Sequence, residues 1–172
     1  MEQHVQKSLA RNRILIALGS NATSPAGDPE QTVLAAIRAL HARLGSVVAR
    51  SRLYATPCYP AGAGPDYVNA VAAIETGLDP EALLAALHGI EAEFDRVRPA
   101  RWASRTLDLD LLTFNDKIWP AQTTLRHWVD LPPRAQAECA PAGLILPHPR
   151  MQDRAFVLVP AAEVAADWRH PL

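Results

Sequence analysis

Asp108 and Asp110 stand two residues apart in Arg105-Thr106-Leu107-Asp108-Leu109-Asp110-Leu111-Leu112, and carboxylates at that spacing point to metal chemistry. Side chains of an extended strand alternate between faces, so the two carboxylates share one face while Leu107, Leu109 and Leu111 take the other. Like charges on one strand face repel. A hard cation between them reverses the sign, and Mg²⁺ suits the pair, being held as a rule by one or two carboxylates plus a substrate's phosphates. The plain alternative is a solvated strand face with two surface aspartates.

Residues 96–106 carry Arg96, Arg98, Arg101 and Arg105 and no acid. Guanidiniums take phosphate oxygens in bidentate fashion, so arginines beside paired aspartates describe a polyphosphate–metal site. Trp102 among them can stack on a flat ring. A solvated basic loop and a single-strand RNA surface are the alternatives. The formal net charge of −1 and pI near 6.6 weigh against broad affinity for phosphate backbones, which favours a compact polyanion such as a nucleotide.

Tyr67 and Asn69 lie two apart on a further strand, behind a loop set by Thr56-Pro57 and Ala61-Gly62-Ala63-Gly64-Pro65. A ring and an amide would there meet one ligand, and an amide offers donor and acceptor together, as an aminopyrimidinone edge requires. Satisfaction of nearby backbone is the alternative for Asn69. His88, Glu91 and Asp95 form a polar stripe at helical spacing, ordinarily a solvated face. Pro147-His148-Pro149 fixes an imidazole ahead of Arg154. The chain holds no GxxxxGK[ST], and no Ser-His-Asp or Cys-His nucleophilic set can be argued.

The elements that must position these residues follow from periodicity. Residues 13–18 read as a buried strand closed by Gly19-Ser20-Asn21. Asp28 caps a helix with Pro29 at its first position, and Gly45 ends it. Strands are expected at 47–54, 67–75 and 107–114, with a second helix opened by Asp79-Pro80. The order β-α-β-β-α-β predicts an α+β fold: a ferredoxin-like antiparallel sheet with both helices on one face and the other face free for a ligand. After Phe114 periodicity fades, with short helices expected at 122–129 and 133–139.

With 172 residues, 49% apolar and 20% charged, one globular domain is expected across the chain, with 1–12 as a flexible tail and 115–147 as an extension. The stretch 1–13 is polar and basic, so no secretory signal is expected, and the apolar run 14–18 is too short to span a bilayer. Cys58 and Cys139 show no metal-site spacing and read as thiols of a reducing compartment, hence cytoplasm.

Taken in order, Ala17-Leu18-Gly19-Ser20-Asn21, Tyr54-Ala55-Thr56-Pro57, Pro65-Asp66-Tyr67-Val68-Asn69-Ala70, Arg101-Trp102 through Asp110-Leu111, and Leu146-Pro147-His148-Pro149 through Arg154-Ala155-Phe156 resemble the 6-hydroxymethyl-7,8-dihydropterin pyrophosphokinase family, from about Ile14 to Pro160. The resemblance implies a ferredoxin-like α+β fold. It implies transfer of the β,γ-diphosphate of ATP to the pterin hydroxymethyl group, with release of AMP and use of two Mg²⁺ ions, by a cytoplasmic monomer that engages neither nucleic acid nor membrane. It implies Asp108 and Asp110 as the metal ligands and, with Arg96 and Arg105, the catalytic set. Arg98 and Arg154 would also reach the ATP phosphates, and His88, Glu91 and His148 the nucleotide. Thr56, Pro57, Tyr59, Tyr67, Asn69, Trp102 and Phe156 would form the pterin pocket, with Trp102 and Phe156 sandwiching the ring. A non-catalytic nucleotide- or pterin-binding module is the alternative function.

The chain departs from the family's pattern at four places. The 115–147 stretch is longer than in compact members. Gly143 replaces an arginine, so one phosphate contact is expected to be missing. Ala103-Ser104 replaces a Gly-Pro, and the chain ends at Arg169-His170-Pro171-Leu172, where members continue into a C-terminal helix. Four neighbouring arginines repel until a triphosphate arrives, so the 96–106 loop is expected to be open when empty and to close Trp102 over the pterin.

Overall fold

The computed structural model describes residues 12–58, 62, 64–94 and 106–172. β1 (Asn12–Ser20) is central, with Ile14, Ile16 and Leu18 buried on one face and Leu15 on the other. α1 (Pro29–Arg43) starts in a capping box: Gln31 N–H donates to Asp28 Oδ1 at 2.9 Å and Asp28 N–H to Gln31 Oε1 at 3.0 Å. The turn out of α1 needs Gly45, whose φ is +147° and whose Cβ would lie 2.1 Å from the Glu75 carbonyl oxygen.

The single strand expected at 47–54 is two strands, β2 (Ser46–Arg50) and β3 (Tyr54–Thr56), both paired with β4 (Tyr67–Thr76). Ser51 makes the break. Its N–H donates to Val71 O at 2.9 Å, while its hydroxyl accepts from Val71 N–H at 3.0 Å in place of a backbone carbonyl. The chain then turns outward and re-enters the sheet at Tyr54. α2 (Pro80–Glu93) is capped by Asp79, which accepts from Ala82 N–H at 2.8 Å. β5 (Asp108–Phe114) pairs antiparallel with β1 at the sheet's edge. Beyond it lie α3 (Gln122–Val129), α4 (Pro133–Glu138), a 3₁₀ turn (Met151–Asp153) and α5 (Ala155–Val164).

The sheet runs β2-β4-β1-β5, with β3 on the same side of β4 as β2, and its named pairs are all antiparallel. α1 and α2 bury one face, where Val33, Leu40, Leu83 and Leu87 pack on Ile14, Ile16 and Ile74. The opposite face is not free, contrary to expectation. α5 sets Val157, Ala161 and Val164 on Leu15, Val71, Ala73 and Leu112. Its sequence is apolar nearly all round and contains Pro160, so no 3.6-residue pattern announced it. Register leaves the far end of that face clear of these α5 contacts. Gly19 lies four residues beyond Leu15 on β1, flanked by Asn69 of β4 and Asp108 of β5. Among the described residues no helix is long and apolar enough to cross a membrane.

Candidate active site

Gly19 forms a shelf at the centre of that open end. A Cβ there would stand 3.1 Å from Asn69 Oδ1 and 3.9 Å from Tyr67 Cδ1, so glycine keeps the surface between the amide and Asp108 flat. Asn69 is buried, and its Nδ2 donates to Thr56 Oγ1 at 2.7 Å. One amide hydrogen is thus taken by the protein, while the pairing of β3 with β4 fixes Thr56, Tyr67 and Asn69 as one cluster. The two residues after Gly19 tie down flanking loops. Ser20 Oγ donates to Thr106 O at 2.6 Å, and Asn21 Nδ2 to Pro65 O at 3.1 Å.

β5 carries Asp108 and Asp110 on the face shared with Leu112, while Leu109 and Leu111 turn into the core with α2. Between the two aspartates, Leu109 N–H donates to Glu91 Oε1 at 2.7 Å, and Glu91 is 3% exposed. Arg154, at the start of α5, donates from Nη1 to Asp110 Oδ2 at 3.2 Å, and its guanidinium lies 5.8 Å from the centre of the Phe156 ring. His148 is pinned by its N–H to Leu112 O at 2.7 Å, and its Nδ1 accepts from Arg150 N–H at 3.2 Å. Burial pushes the His148 pKa down. Asp110 opposes this, and the Arg154 and Arg150 cations add to it. The imidazole is therefore neutral with its proton on Nε2, a donor and not an acceptor at that atom.

A cleft of about 440 Å³ runs beside β5. It brings together five of the candidate site residues: His88, Asp108, Asp110, His148 and Arg154. Thr56, Tyr67 and Asn69 gather at the Gly19 shelf instead, with Pro57 exposed beside Thr56 and Phe156 43% exposed next to Arg154. Glu91 does not line the cleft; it is buried behind β5. Tyr59, Asp95, Arg96, Arg98, Arg101, Trp102 and Arg105 lie outside the described residues, and with them the proposed closing of the 96–106 loop.

Among the described residues no cluster of three or more His, Cys, Asp and Glu side chains could cage a metal ion. A pair of carboxylates in an open cleft, with the remaining ligands left to phosphate and water, fits Mg²⁺ better than a metal that demands a full protein cage. Gly143 also lines the cleft, and a Cβ there meets nothing within 4 Å, so a side chain at this position would have room. Gly19, Trp128 and Arg150 carried no chemical signal of their own. The small residues closing a buried strand and the Arg after Pro147-His148-Pro149 were the available hints.

The family model for 7,8-dihydro-6-hydroxymethylpterin-pyrophosphokinase matches residues 15–166. A Pseudomonas aeruginosa protein named 2-amino-4-hydroxy-6-hydroxymethyldihydropteridine pyrophosphokinase is 42% identical over 160 residues, covering 92% of this chain and 84% of its own. A Haemophilus influenzae protein of the same name is 37% identical over 153 residues, 88% of this chain and 81% of its own. Among solved structures, the wild-type HPPK-DHPS of Plasmodium falciparum superposes with a TM-score of 0.65 at 15% identity, over 94% of this chain and 39% of that one, a likeness of fold.

Proposed function

The chain belongs to the 7,8-dihydro-6-hydroxymethylpterin-pyrophosphokinase family, ATP-dependent enzymes of folate biosynthesis, and from that membership we propose how its residues share the reaction. The hydroxymethyl oxygen of the pterin attacks the β-phosphorus of ATP, the bond to the α-phosphate's bridging oxygen breaks, AMP leaves, and the hydroxyl proton passes to solvent. Asp108 and Asp110 would hold two Mg²⁺ ions, which supply charge neutralisation on the transferred group and order its oxygens. One observation carries this reading: both aspartates line one cleft with His148 and Arg154, and Arg154 lies 3.2 Å from Asp110.

Arg154 takes phosphate charge in this reading, with Arg96, Arg98 and Arg105 assigned the same task. His148 donates from Nε2 to a phosphate oxygen. Being an N–H there, it does not take the hydroxyl proton, so transfer rests on positioning and charge rather than on a general base. His88 reaches the nucleotide from α2. Thr56, Pro57, Tyr59, Tyr67 and Asn69 receive the pterin edge on the Gly19 shelf, and Trp102 and Phe156 hold its faces. The strand order β2-β4-β1-β5 with two crossover helices supports a ferredoxin-like reading of the sheet. We read the chain as a single domain working as a monomer on two small molecules, since its near-zero net charge suits neither nucleic acid nor an acidic membrane. The exposed Cys139 fits a reducing compartment such as the cytoplasm.

The test is AMP formation from ATP, Mg²⁺ and 6-hydroxymethyl-7,8-dihydropterin. Wild type should form AMP only with the pterin present. Asp110→Ala should lose roughly a thousandfold or more in turnover, the scale of metal-held charge stabilisation, with its thermal unfolding unchanged. A variant that kept near wild-type turnover at saturating Mg²⁺ would sink the metal assignment.

A further inference from the structure

The stretch between Trp119 and Leu146 is an excursion with a closed neck. The two residues exchange both backbone hydrogen bonds, each 2.9 Å. Its head is fastened as well: the carbonyl of Gln136 on α4 accepts from Arg150 Nη1 at 3.3 Å, and Gln136 Nε2 donates to Leu131 O at 2.7 Å. α3 is anchored by Leu125, which is fully buried, and Trp128 follows one turn later on the same side of the helix, partly buried. A loop serving only to connect β5 to His148 needs no such fixing.

The excursion is fixed against the cleft beside β5. The cleft combines the charged groups Asp108, Asp110, Arg150 and Arg154 and the His148 imidazole with an apolar wall that includes Leu84, Trp128, Pro141, Leu144 and Ile145. Trp128, Pro141, Leu144 and Ile145 come from the excursion, while Leu84, Leu109 and Leu111 come from α2 and β5. A nucleoside triphosphate makes both demands at once, a polyanion at one end and a flat apolar base at the other. Accepting the nucleotide site proposed above, we infer that the 120–145 excursion builds its nucleoside end, with Trp128 against the base and so a determinant of nucleotide affinity. The extra chain length then has a function in substrate binding, and Trp128 contributes to ATP recognition without touching the transferred phosphates.

Two ligands separate this from a structural role: an α,β-methylene analogue of ATP, which cannot be cleaved at the reacting bond, and inorganic tripolyphosphate, which has no base. With Mg²⁺ present, Trp128→Ala should bind the analogue roughly tenfold more weakly, the scale of one base–aromatic stack. Trp128→Phe should restore most of that affinity, and tripolyphosphate should bind all three proteins alike. Unchanged analogue binding in Trp128→Ala, or equal weakening toward both ligands, overturns the inference. The wild-type protein gives a second test that needs no variant. Cys139 is exposed on the same cleft wall while Cys58 is buried, so the analogue should slow alkylation of Cys139 at least about fivefold, and tripolyphosphate should not. Equal rates with the two ligands overturn it equally. Pterin-dependent AMP formation by wild type reports separately on the pyrophosphokinase reading, so either can fail alone.

Discussion

A single missing atom shapes the shelf proposed to receive the pterin. Gly19 has Asn69 and Asp108 as its neighbours across the sheet, and its backbone is ordinary extended strand, so conformational freedom is not why glycine stands there. Space is the reason: a Cβ would press to 3.1 Å of Asn69 Oδ1, and Asn69 cannot easily yield because its other amide atom is held at 2.7 Å by Thr56. Gly19→Ala should therefore disturb the amide without touching Asp108 chemistry. The expected outcome is a rise of roughly tenfold or more in the pterin KM, about what one disturbed hydrogen-bonding edge costs, with nucleotide affinity preserved. Calorimetric titration with pterin and with nucleotide separately checks it, and equal losses for both ligands would refute a pterin-specific shelf. Asp108 and Asp110 were legible beforehand because strand alternation is strict. Gly19 was not, because its role depends on which strands come to lie on either side of it.

At the scale of elements, α2 holds β5 in place by a carboxylate. Glu91 is buried and accepts from Leu109 N–H at 2.7 Å, on the one residue that separates the two aspartates. Removing it leaves a buried backbone donor unmet, which costs about 1–3 kcal/mol. Glu91→Ala should lose stability on that scale and reduce turnover, whereas Glu91→Gln keeps an acceptor oxygen and should lose less of both. Urea unfolding with paired turnover measurements decides, and identical losses in the two variants would count against the hydrogen bond. Sequence spacing put Glu91 on a polar stripe with His88, which is correct for the helix. The approach of α2 to β5 separates them, sending His88 to the cleft and Glu91 behind the strand, and no local pattern encodes that approach. The same limit explains the other surprises. The two crossover helices carried Asp-Pro caps and periodic apolar positions, whereas the short helices at 122–129 and 133–138 have no side-chain cap and were expected from weaker signals. The break at Ser51 turned on one hydroxyl replacing a ladder carbonyl, and α5 had no polar face to reveal its period.

For the molecule as a whole, α5 does two jobs from its two ends. Its start presents Arg154 and Phe156 to the site, while near its end Glu163 clamps the segment joining β2 to β3. That carboxylate accepts from Arg52 N–H at 2.8 Å, from Arg52 Nε at 2.7 Å and from the Tyr54 hydroxyl at 2.5 Å. The clamp thus joins the helix that begins at Arg154 to the strand that carries Thr56. The Tyr54 hydroxyl first, then the Arg52 N–H and guanidinium, hold the Glu163 pKa down from the usual 4.5 to about 2. A depressed carboxylate pKa means that the unfolded chain binds the proton more readily between those two values. The stability it contributes is present above pH 4.5 and is lost as pH falls through about 2. Wild type should therefore melt above Glu163→Gln by a margin that is constant near neutrality, shrinks below pH 4.5 and closes near pH 2. Thermal melts of both proteins from pH 7 to pH 2 at fixed ionic strength read this directly, because other carboxylates titrate alike in each and cancel in the difference. A margin that stayed the same across the whole range would show that the clamp's charge does not hold α5 to the β2–β3 segment. The docking of Arg154 and Phe156 would then rest on Val157, Ala161 and Val164 against the sheet.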